Sequence, residues 1–258
     1  MNNTIDTSVP HSARIWNYWM GGKDHYPVDQ EAGDAYAAIA PHIETMARAS
    51  REYLVRAVTH LTRDHGVRQF LDIGTGLPTH ANTHQVAQQI APDARIVYVD
   101  NDPIVLAHAH ALLYSKPPGV TAYVDADLHA PEELLRSAAR TLDFTQPIGV
   151  MLMGILGHIE DYAEALAIVR HLLAVIPSGS YFVHYDGTNT DDDLVKGQAG
   201  YNDTGALPYI LRSPEQIANY YSGLEVLAPG IVPCPLWRPG SETSPEPTHI
   251  HGGIGRKP

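Results

Sequence analysis

The sequence predicts an α/β protein built on a mostly parallel sheet with helices on both faces. Short apolar segments alternate with segments of helical periodicity over residues 69–185, and the connections between them are short. The segment 148–153 is apolar throughout, as expected of a strand buried on both faces. Acidic residues stand at the ends of the first three predicted strands, and that edge of an open parallel sheet is where ligands bind.

The N-terminal quarter predicts helices rather than strands. We expect residues 1–66 to form an arm and a helical lid, and residues 67–258 to form a single domain. Apolar residues recur at helical intervals over 28–65, with an interruption at Pro41. The segment SARIWNYWM contains three aromatic residues, and for Trp16 and Trp19 packing onto the sheet is the favoured role.

Five strands and four helices follow in alternation. The predicted strands span residues 69–73, 95–99, 120–124, 148–153 and 181–185, and the predicted helices span residues 80–90, 103–113, 131–142 and 161–176. Residues 188–212 are rich in Gly, Asp and Asn and predict a long surface loop of functional importance. Weaker patterns predict a helix over 214–221 and strands over 224–227 and 249–254.

Composition excludes several classes of function. The 258 residues are 44% hydrophobic, which is enough for a globular core. The chain carries 17 basic and 29 acidic residues, a formal charge of −12, so it repels phosphate backbones and we expect no nucleic-acid partner. No apolar run approaches the roughly 18 residues of a membrane span.

The cysteine content and the N-terminal residues favour a cytoplasmic protein. The single cysteine, Cys234, cannot form an internal disulfide or a multi-cysteine zinc site. Residues 1–6 have neither the basic nor the apolar region of a signal peptide. The sequence does not predict an oligomeric state.

A glycine-containing turn follows the first predicted strand, in Asp72-Ile73-Gly74-Thr75-Gly76. Glycines here let the backbone approach a ligand where a Cβ would clash. A tight turn without a ligand is the alternative. Leu77-Pro78 follows where a dinucleotide fingerprint would continue to a third glycine, which argues against a pyrophosphate cradle and a nicotinamide oxidoreductase.

Further acidic residues end the next two predicted strands. Asp100 would accept both hydroxyls of an adenosine ribose, as carboxylates do in nicotinamide and S-adenosylmethionine sites. Capping of the following helix is the alternative, but Asp102 is better placed for that role. In Asp125-Ala126-Asp127, a carboxylate could accept the adenine amino group, and a neighbouring N–H could reach a ring nitrogen.

Taken together, LDIGTG, YVDNDP and VDADL resemble the class I S-adenosylmethionine-dependent methyltransferases. More narrowly, the chain resembles the actinobacterial S-adenosyl methyltransferase family, formerly a domain of unknown function. The matching segments are SARIWNYWMGGKDHY, RQFLDIGTGLPTHANTHQVAQ, ARIVYVDNDPIVLAHAHALL, TAYVDADL and GGIGRKP. The resemblance covers nearly the whole chain. It implies a Rossmann-like, seven-stranded sheet whose last strand is antiparallel.

The resemblance also implies S-adenosyl-L-methionine as the cofactor. The residues it assigns to cofactor binding are Asp72, Gly74, Thr75, Gly76, Asp100, Asn101, Asp125, Ala126, Gly154, Tyr18, Gly22 and Lys23. Asp72 would fix the loop or meet the cofactor's ammonium, Asp100 would hold the ribose, and Asp125 would contact adenine. The segment from Arg14 to Lys23 would fold over the cofactor, with one of those two cations near its carboxylate.

Methyl transfer is an in-line displacement that positioning alone can accelerate, by roughly 7–11 kcal/mol of barrier in favourable cases. A general base is needed only where the acceptor loses a proton. The candidates are His158 and His184, with Glu160, Tyr185 and Asp186 nearby. The segment Gly157-His158-Ile159-Glu160 departs from the family pattern, in which an alanine- or valine-rich strand end is followed by a histidine, a bulky apolar residue and a proline. We expect a small or mid-sized organic acceptor.

One alternative function remains open, and one kind of site is not expected. A protein that binds S-adenosylmethionine or its demethylated product without transferring a methyl group, as a sensor or scaffold, would keep the same strand ends. The chain has 15 histidines, and His80 and His84 have helical i, i+4 spacing but no evident third ligand. The pairs His108/His110 and His249/His251 have i, i+2 spacing, which places both on one face only in a strand. We predict no metal site.

Overall fold

Eight strands form one sheet in the part of the chain that a computed structural model describes, residues 6–112, 114–240 and 245–258. The strands are β1 (Gln69–Ile73), β2 (Arg95–Asp100), β3 (Val120–Asp125), β4 (Gly149–Met153), β5 (Tyr181–Gly187), β6 (Glu225–Val226), β7 (Val232–Pro233) and β8 (Ile250–Arg256). The parallel strands run in the order β3-β2-β1-β4-β5, and β8 is antiparallel to β5, β6 and β7. The predicted mostly parallel sheet with an antiparallel last strand is confirmed, with one short strand more than expected.

The helices cover the faces and the carboxyl edge of this sheet. They are α1 (Ser12–Trp19), α2 (Pro27–Ile39), α3 (Ile43–Asp64), α4 (Thr83–Ile90), α5 (Pro103–Leu112), α6 (Pro131–Ala138), α7 (Tyr162–Val175), α8 (Asp192–Asn202) and α9 (Pro214–Asn219). The predicted helix over 28–65 is divided at Pro41 into α2 and α3, as proline requires. Residues 1–5, the start of the predicted arm, and Leu113, the end of a predicted helix, lie outside the described residues.

Alternating side chains of the central strands build two cores, one on each face of the sheet. On one face Phe70 and Met151 pack with Tyr53 and Leu61 of α3. On the other face the strands pack against α6 and α7. Because α3 belongs to the same core as the strands, the packing continues across residue 66. The expected boundary between a helical lid at residues 1–66 and a domain at residues 67–258 stays a prediction.

The expectation of a loop over residues 188–212 is wrong, because α8 occupies its middle. The Asp191 carboxylate accepts the Leu194 N–H at 2.8 Å and so caps this helix. Leu194 and Tyr201 are buried at helical spacing, and a Cβ on Gly197 would lie 3.0 Å from the Tyr36 ring of α2. The glycines and the run of aspartates are typical of a loop, but this segment forms a helix whose apolar face packs on α2.

One smaller difference from the sequence expectations has a local cause. The helix predicted from residue 80 begins at Thr83, because Asn82 and Gln85 form a capping box at its start. Cys234 is buried, and desolvation raises the pKa of its thiol. Among the helices described, none is both long and apolar enough to cross a bilayer.

Candidate functional site

A cavity lies where the parallel strands end, between the sheet and helices α1, α2, α3 and α8. Its empty space, including the open mouth, measures about 1570 Å³. The loops after β1, β2 and β4 contribute glycines and polar side chains. The helices contribute mainly apolar side chains, and the apolar wall, as we call it, consists of Trp16, Trp19, Tyr36, Met46, Leu194 and Tyr201.

The turn after β1 presents backbone rather than side chains to this cavity. Gly74 and Gly76 both have left-handed backbone conformations, with φ of +70° and +63°. A Cβ on Gly74 would lie 2.5 Å from Ile155, whereas a Cβ on Gly76 would meet no atom within 4 Å. The N–H groups of Gly74 and Thr75 donate to the Val99 carbonyl, which holds the turn against the end of β2.

Asp100 lies at the end of β2 and faces the cavity. One carboxylate oxygen accepts the Gly76 N–H and the other accepts the Asp102 N–H, both at 3.0 Å. Each oxygen therefore keeps a lone pair for a ligand hydroxyl. Burial raises the pKa of Asp100. Asp102, as predicted, caps α5 by accepting the N–H groups of Ile104 and Val105.

Asp72 and Arg51 face the cavity beside the glycine turn. Asp72 accepts the Thr83 hydroxyl at 2.6 Å, and burial raises the pKa of its carboxyl to about 6 despite that hydrogen bond and the nearby Arg51 charge. Desolvation lowers the pKa of Arg51. Within the described part of the chain, Arg51 forms no hydrogen bond or ion pair. An unpartnered cation of this kind suits an anionic ligand group.

Sequence reasoning missed Arg51, although one signal for it exists. Ala47, Leu54 and Val58 recur at helical spacing on the buried face of α3, and Arg51 falls on that same face. A charged residue on the apolar face of an amphipathic helix is a candidate for a buried function.

His158 follows β4 and lines the cavity. Its Nδ1 lies 2.8 Å from the Pro208 carbonyl oxygen, so Nδ1–H donates and Nε2 carries the lone pair. Burial lowers the pKa of this imidazole, which is therefore neutral at pH 7. Its ring contacts the Tyr209 ring edge-on at 5.1 Å, and a Cβ on Gly157 would lie 2.4 Å from that tyrosine. The glycine before His158 thus makes room for Tyr209.

His184 lies on the opposite face of the sheet from the cavity. It is fully buried, and its ring stacks on Phe182 at 5.6 Å. Its Nε2 is 2.9 Å from one oxygen of Asp186, whose other oxygen accepts the Tyr209 hydroxyl at 2.8 Å. His184 therefore reaches the cavity only through Asp186 and Tyr209, and we do not carry it forward as a general base.

Four residues of the N-terminal segment contact other residues or are exposed to solvent instead of facing the cavity. Arg14 forms a buried ion pair with Asp29 at 2.9 Å. The Tyr18 hydroxyl donates to Asp34, Lys23 is exposed, and a Cβ on Gly22 would lie 2.1 Å from an Asn17 oxygen. Those four residues do not line the cavity within the described part of the chain.

Other residues of α1 and of its N-cap reach the cavity instead. Trp16 and Trp19, for which packing was the favoured role, belong to the apolar wall, although Trp19 also packs on Tyr36. His11, which the sequence analysis did not single out, lines the cavity, and its Nε2 lies 2.7 Å from an Asp102 carboxylate oxygen, within hydrogen-bond distance. This contact ties the start of α1 to the end of β2.

The remaining predicted residues divide between the cavity and its rim. Asn101 and Gly154 line the cavity, and a Cβ on Gly154 would lie 2.9 Å from the Tyr185 ring. Asp125 is exposed and pairs in register with Asp100, and the Ala126 N–H donates to the Asp100 carbonyl. Asp125 and Ala126 therefore lie next to Asp100, outside the cavity wall.

Comparison of the sequence with known protein families gives a match over the whole chain. The family model described as S-adenosyl methyltransferase matches residues 1–258. None of the curated proteins compared matches the chain.

The chain is also similar to solved structures, two of them over almost its whole length. A DUF574-family protein from Streptomyces avermitilis is 42% identical with a TM-score of 0.94, over 99% of this chain and 100% of that chain. A Thermobifida fusca protein provisionally assigned as a methyltransferase is 34% identical with a TM-score of 0.88, over 98% of this chain and 96% of that chain. The N-methyltransferase NodS from Bradyrhizobium japonicum shares the fold alone, at 14% identity and a TM-score of 0.51, over 83% of this chain and 97% of that chain.

Proposed function

The chain belongs to the S-adenosyl methyltransferase family, and we propose that it methylates a largely apolar organic acceptor held in the cavity. Family and fold make it an S-adenosylmethionine-dependent methyltransferase; the acceptor and the role of each residue are the proposal. One observation carries it. Asp100 and Arg51 line a single cavity, and each has hydrogen-bonding capacity that no described residue uses.

These residues suit the chemistry of the cofactor. Asp100 would accept the two ribose hydroxyls through its remaining lone pairs. Arg51 would pair with the carboxylate of the amino-acid part, and Asp72 with its ammonium. The turn at Gly74 and Gly76 would let that part of the ligand lie against bare backbone.

Other residues would hold the remaining parts of the cofactor. Thr75 and Gly154 would line the methionine part, and Asn101 would assist at the ribose. Asp125 and Ala126 stay our candidates for the adenine edge, because register pairing puts them beside Asp100.

When bound, S-adenosylmethionine supplies an electrophilic methyl group whose leaving group needs no acid catalyst. The chain then has two tasks, to orient the reactants and to keep water away from them. Trp16 and Trp19 cover the cavity from α1, and the His11–Asp102 hydrogen bond would fix that helix.

The apolar wall supports an acceptor with extensive apolar or aromatic surface. Six aromatic or aliphatic side chains from four helices form it, and they contribute no charge. Apolar surface of this kind gains free energy by covering apolar atoms of a ligand, roughly 25 cal/mol per Å². Small charged acceptors would gain nothing from it.

His158 supports an acceptor that loses a proton, such as a hydroxyl group. The Pro208 carbonyl holds the imidazole in the tautomer that keeps Nε2 as the acceptor. Burial keeps the ring neutral and able to take up a proton at neutral pH. His158 would thus serve as the general base.

An acceptor panel tests this proposal. Purified protein is incubated with S-adenosylmethionine and either aromatic hydroxyl compounds or small charged amines and acids, and S-adenosylhomocysteine is measured by mass spectrometry. We expect turnover with members of the first group. Turnover with charged acceptors alone, at full cofactor binding, would overturn the acceptor class while leaving the cofactor site intact.

A further inference from the structure

Three side chains from distant parts of the sequence meet outside the cavity. His42 precedes α3, Asp191 caps α8 and His249 precedes β8. One ligand atom from each lies within 4.8 Å of the other two. All three side chains are partly buried, and none belongs to the cavity wall. The cluster is thus separate from the proposed methyl-transfer site.

The distances in this cluster are too long for direct hydrogen bonds. His42 Nε2 lies 3.6 Å from Asp191 Oδ1, and His249 Nε2 lies 3.7 Å from Asp191 Oδ2. Ligand atoms around one tetrahedral Zn²⁺, with bonds of about 2.0–2.2 Å, lie about 3.3–3.6 Å apart, close to both distances, which end on different oxygens of Asp191. His42 Nε2 is shielded from solvent and has no hydrogen-bond partner among the described residues. A shared metal ion would satisfy this nitrogen.

Neighbouring groups already orient two of these ligands. His249 Nδ1 is 3.1 Å from the Thr190 hydroxyl, which leaves Nε2 for a ligand role. Asp191 Oδ1 accepts the Leu194 N–H, and this hydrogen bond lowers the pKa of the carboxyl. An ionised carboxylate with one oxygen held by a backbone N–H is typical of metal sites with supporting second contacts.

We propose that His42, Asp191 and His249 bind one divalent transition-metal ion of the zinc type. Two imidazoles and one carboxylate are a common ligand set for Zn²⁺, and three protein ligands leave a further position for water. The sequence analysis predicted no metal site, because these ligands have no motif spacing and only the fold brings them together.

The position of the cluster assigns the ion a structural role. Ile43, Leu194 and Ile250 line the cavity, and each lies one to three residues from a ligand. The metal therefore joins α3, α8 and the sheet directly behind the cavity. It holds these three elements together and takes no part in the chemistry.

Metal titration of the whole chain tests this proposal. Protein stripped with a chelator is titrated with Co²⁺, whose visible spectrum reports coordination number, and then with Zn²⁺. We expect one Co²⁺ per chain with the intense absorption of low coordination, its displacement by Zn²⁺, and a higher Tm with Zn²⁺ bound. No stoichiometric binding by the wild-type chain would overturn the proposal.

Matched variants locate the ion. Asp191→Asn keeps a side chain that can cap α8 but removes the charge, and His42→Gln and His249→Gln each remove one ligand. We expect each to weaken Zn²⁺ binding at least tenfold, whereas His80→Gln at an exposed histidine should not. Equal weak binding by all four variants would show only surface histidines and would refute the site. S-Adenosylmethionine binding, measured in parallel, reports separately on the methyl-transfer site.

Discussion

Replacement of Arg51 by methionine should weaken cofactor binding without lowering the free energy of unfolding. Methionine keeps much of the apolar stem and removes the guanidinium. In the free protein this group is desolvated and has no hydrogen-bond or ion-pair partner among the described residues, so its loss breaks no direct contact of that kind. The free energy of unfolding should therefore stay the same or rise.

The same substitution should weaken S-adenosylmethionine binding strongly. A guanidinium–carboxylate pair makes up to two charge-assisted hydrogen bonds, and each contributes about 1.5–3 kcal/mol. A loss of about 2–4 kcal/mol corresponds to a Kd about 30-fold to 1000-fold higher. Isothermal titration calorimetry with 5′-methylthioadenosine, which has the nucleoside and sulfur but no amino-acid part, should give equal affinity for both proteins.

An exposed arginine on the same helix provides the control. Arg48 forms an ion pair with Glu44 at the surface, and Arg48→Met should change neither affinity. The reasoning fails if Arg51→Met binds S-adenosylmethionine as tightly as the wild type. It also fails if the affinities for both ligands fall by the same factor, because the loss would then be structural.

Three other substitutions test neighbouring parts of the site. Asp100→Asn removes the charge at the ribose and should weaken adenosine binding by roughly 10-fold to 150-fold in calorimetry, from about 1.5–3 kcal/mol; an unchanged affinity would exclude Asp100 as the ribose ligand. The Asp72 carboxyl has a pKa of about 6, so it ionises as the pH rises through 6. The affinity for the cationic cofactor should therefore increase over that range in the wild type and stay constant in Asp72→Asn. A parallel increase in both proteins would show that another group causes the effect. His158→Asn should leave cofactor affinity unchanged and lower kcat about 10²-fold to 10⁴-fold for a hydroxyl acceptor, and a normal kcat would rule out the base.

The sheet and its polar edge could be predicted because both depend on residues that are neighbours in the sequence. The central strands of a parallel sheet are buried on both faces, so the run at 148–153 is apolar throughout and the run at 69–73 is fully buried, with Phe70, Leu71 and Ile73 as its apolar residues. Asp100 stands where such a strand ends, and Asp102 two residues later has the position of a helix cap. Both features depend on neighbours in the chain.

Features that depend on distant contacts could not be predicted. His11 contacts Asp102 across 91 residues, and nothing near either residue indicates that contact. Arg14 and Lys23 stand in a conspicuous segment, yet Arg14 pairs with Asp29 and Lys23 is exposed. Arg51 has no local signal except its place on an apolar helix face, which acquires meaning only when the cavity is known.

A crystal structure with S-adenosylhomocysteine soaked in tests the central claim most directly. We expect both ribose hydroxyls within about 2.5–3.2 Å of the Asp100 oxygens and the ligand carboxylate against Arg51. A ligand bound with its ribose away from Asp100, or a cavity that excludes the molecule at saturating concentration, would contradict it.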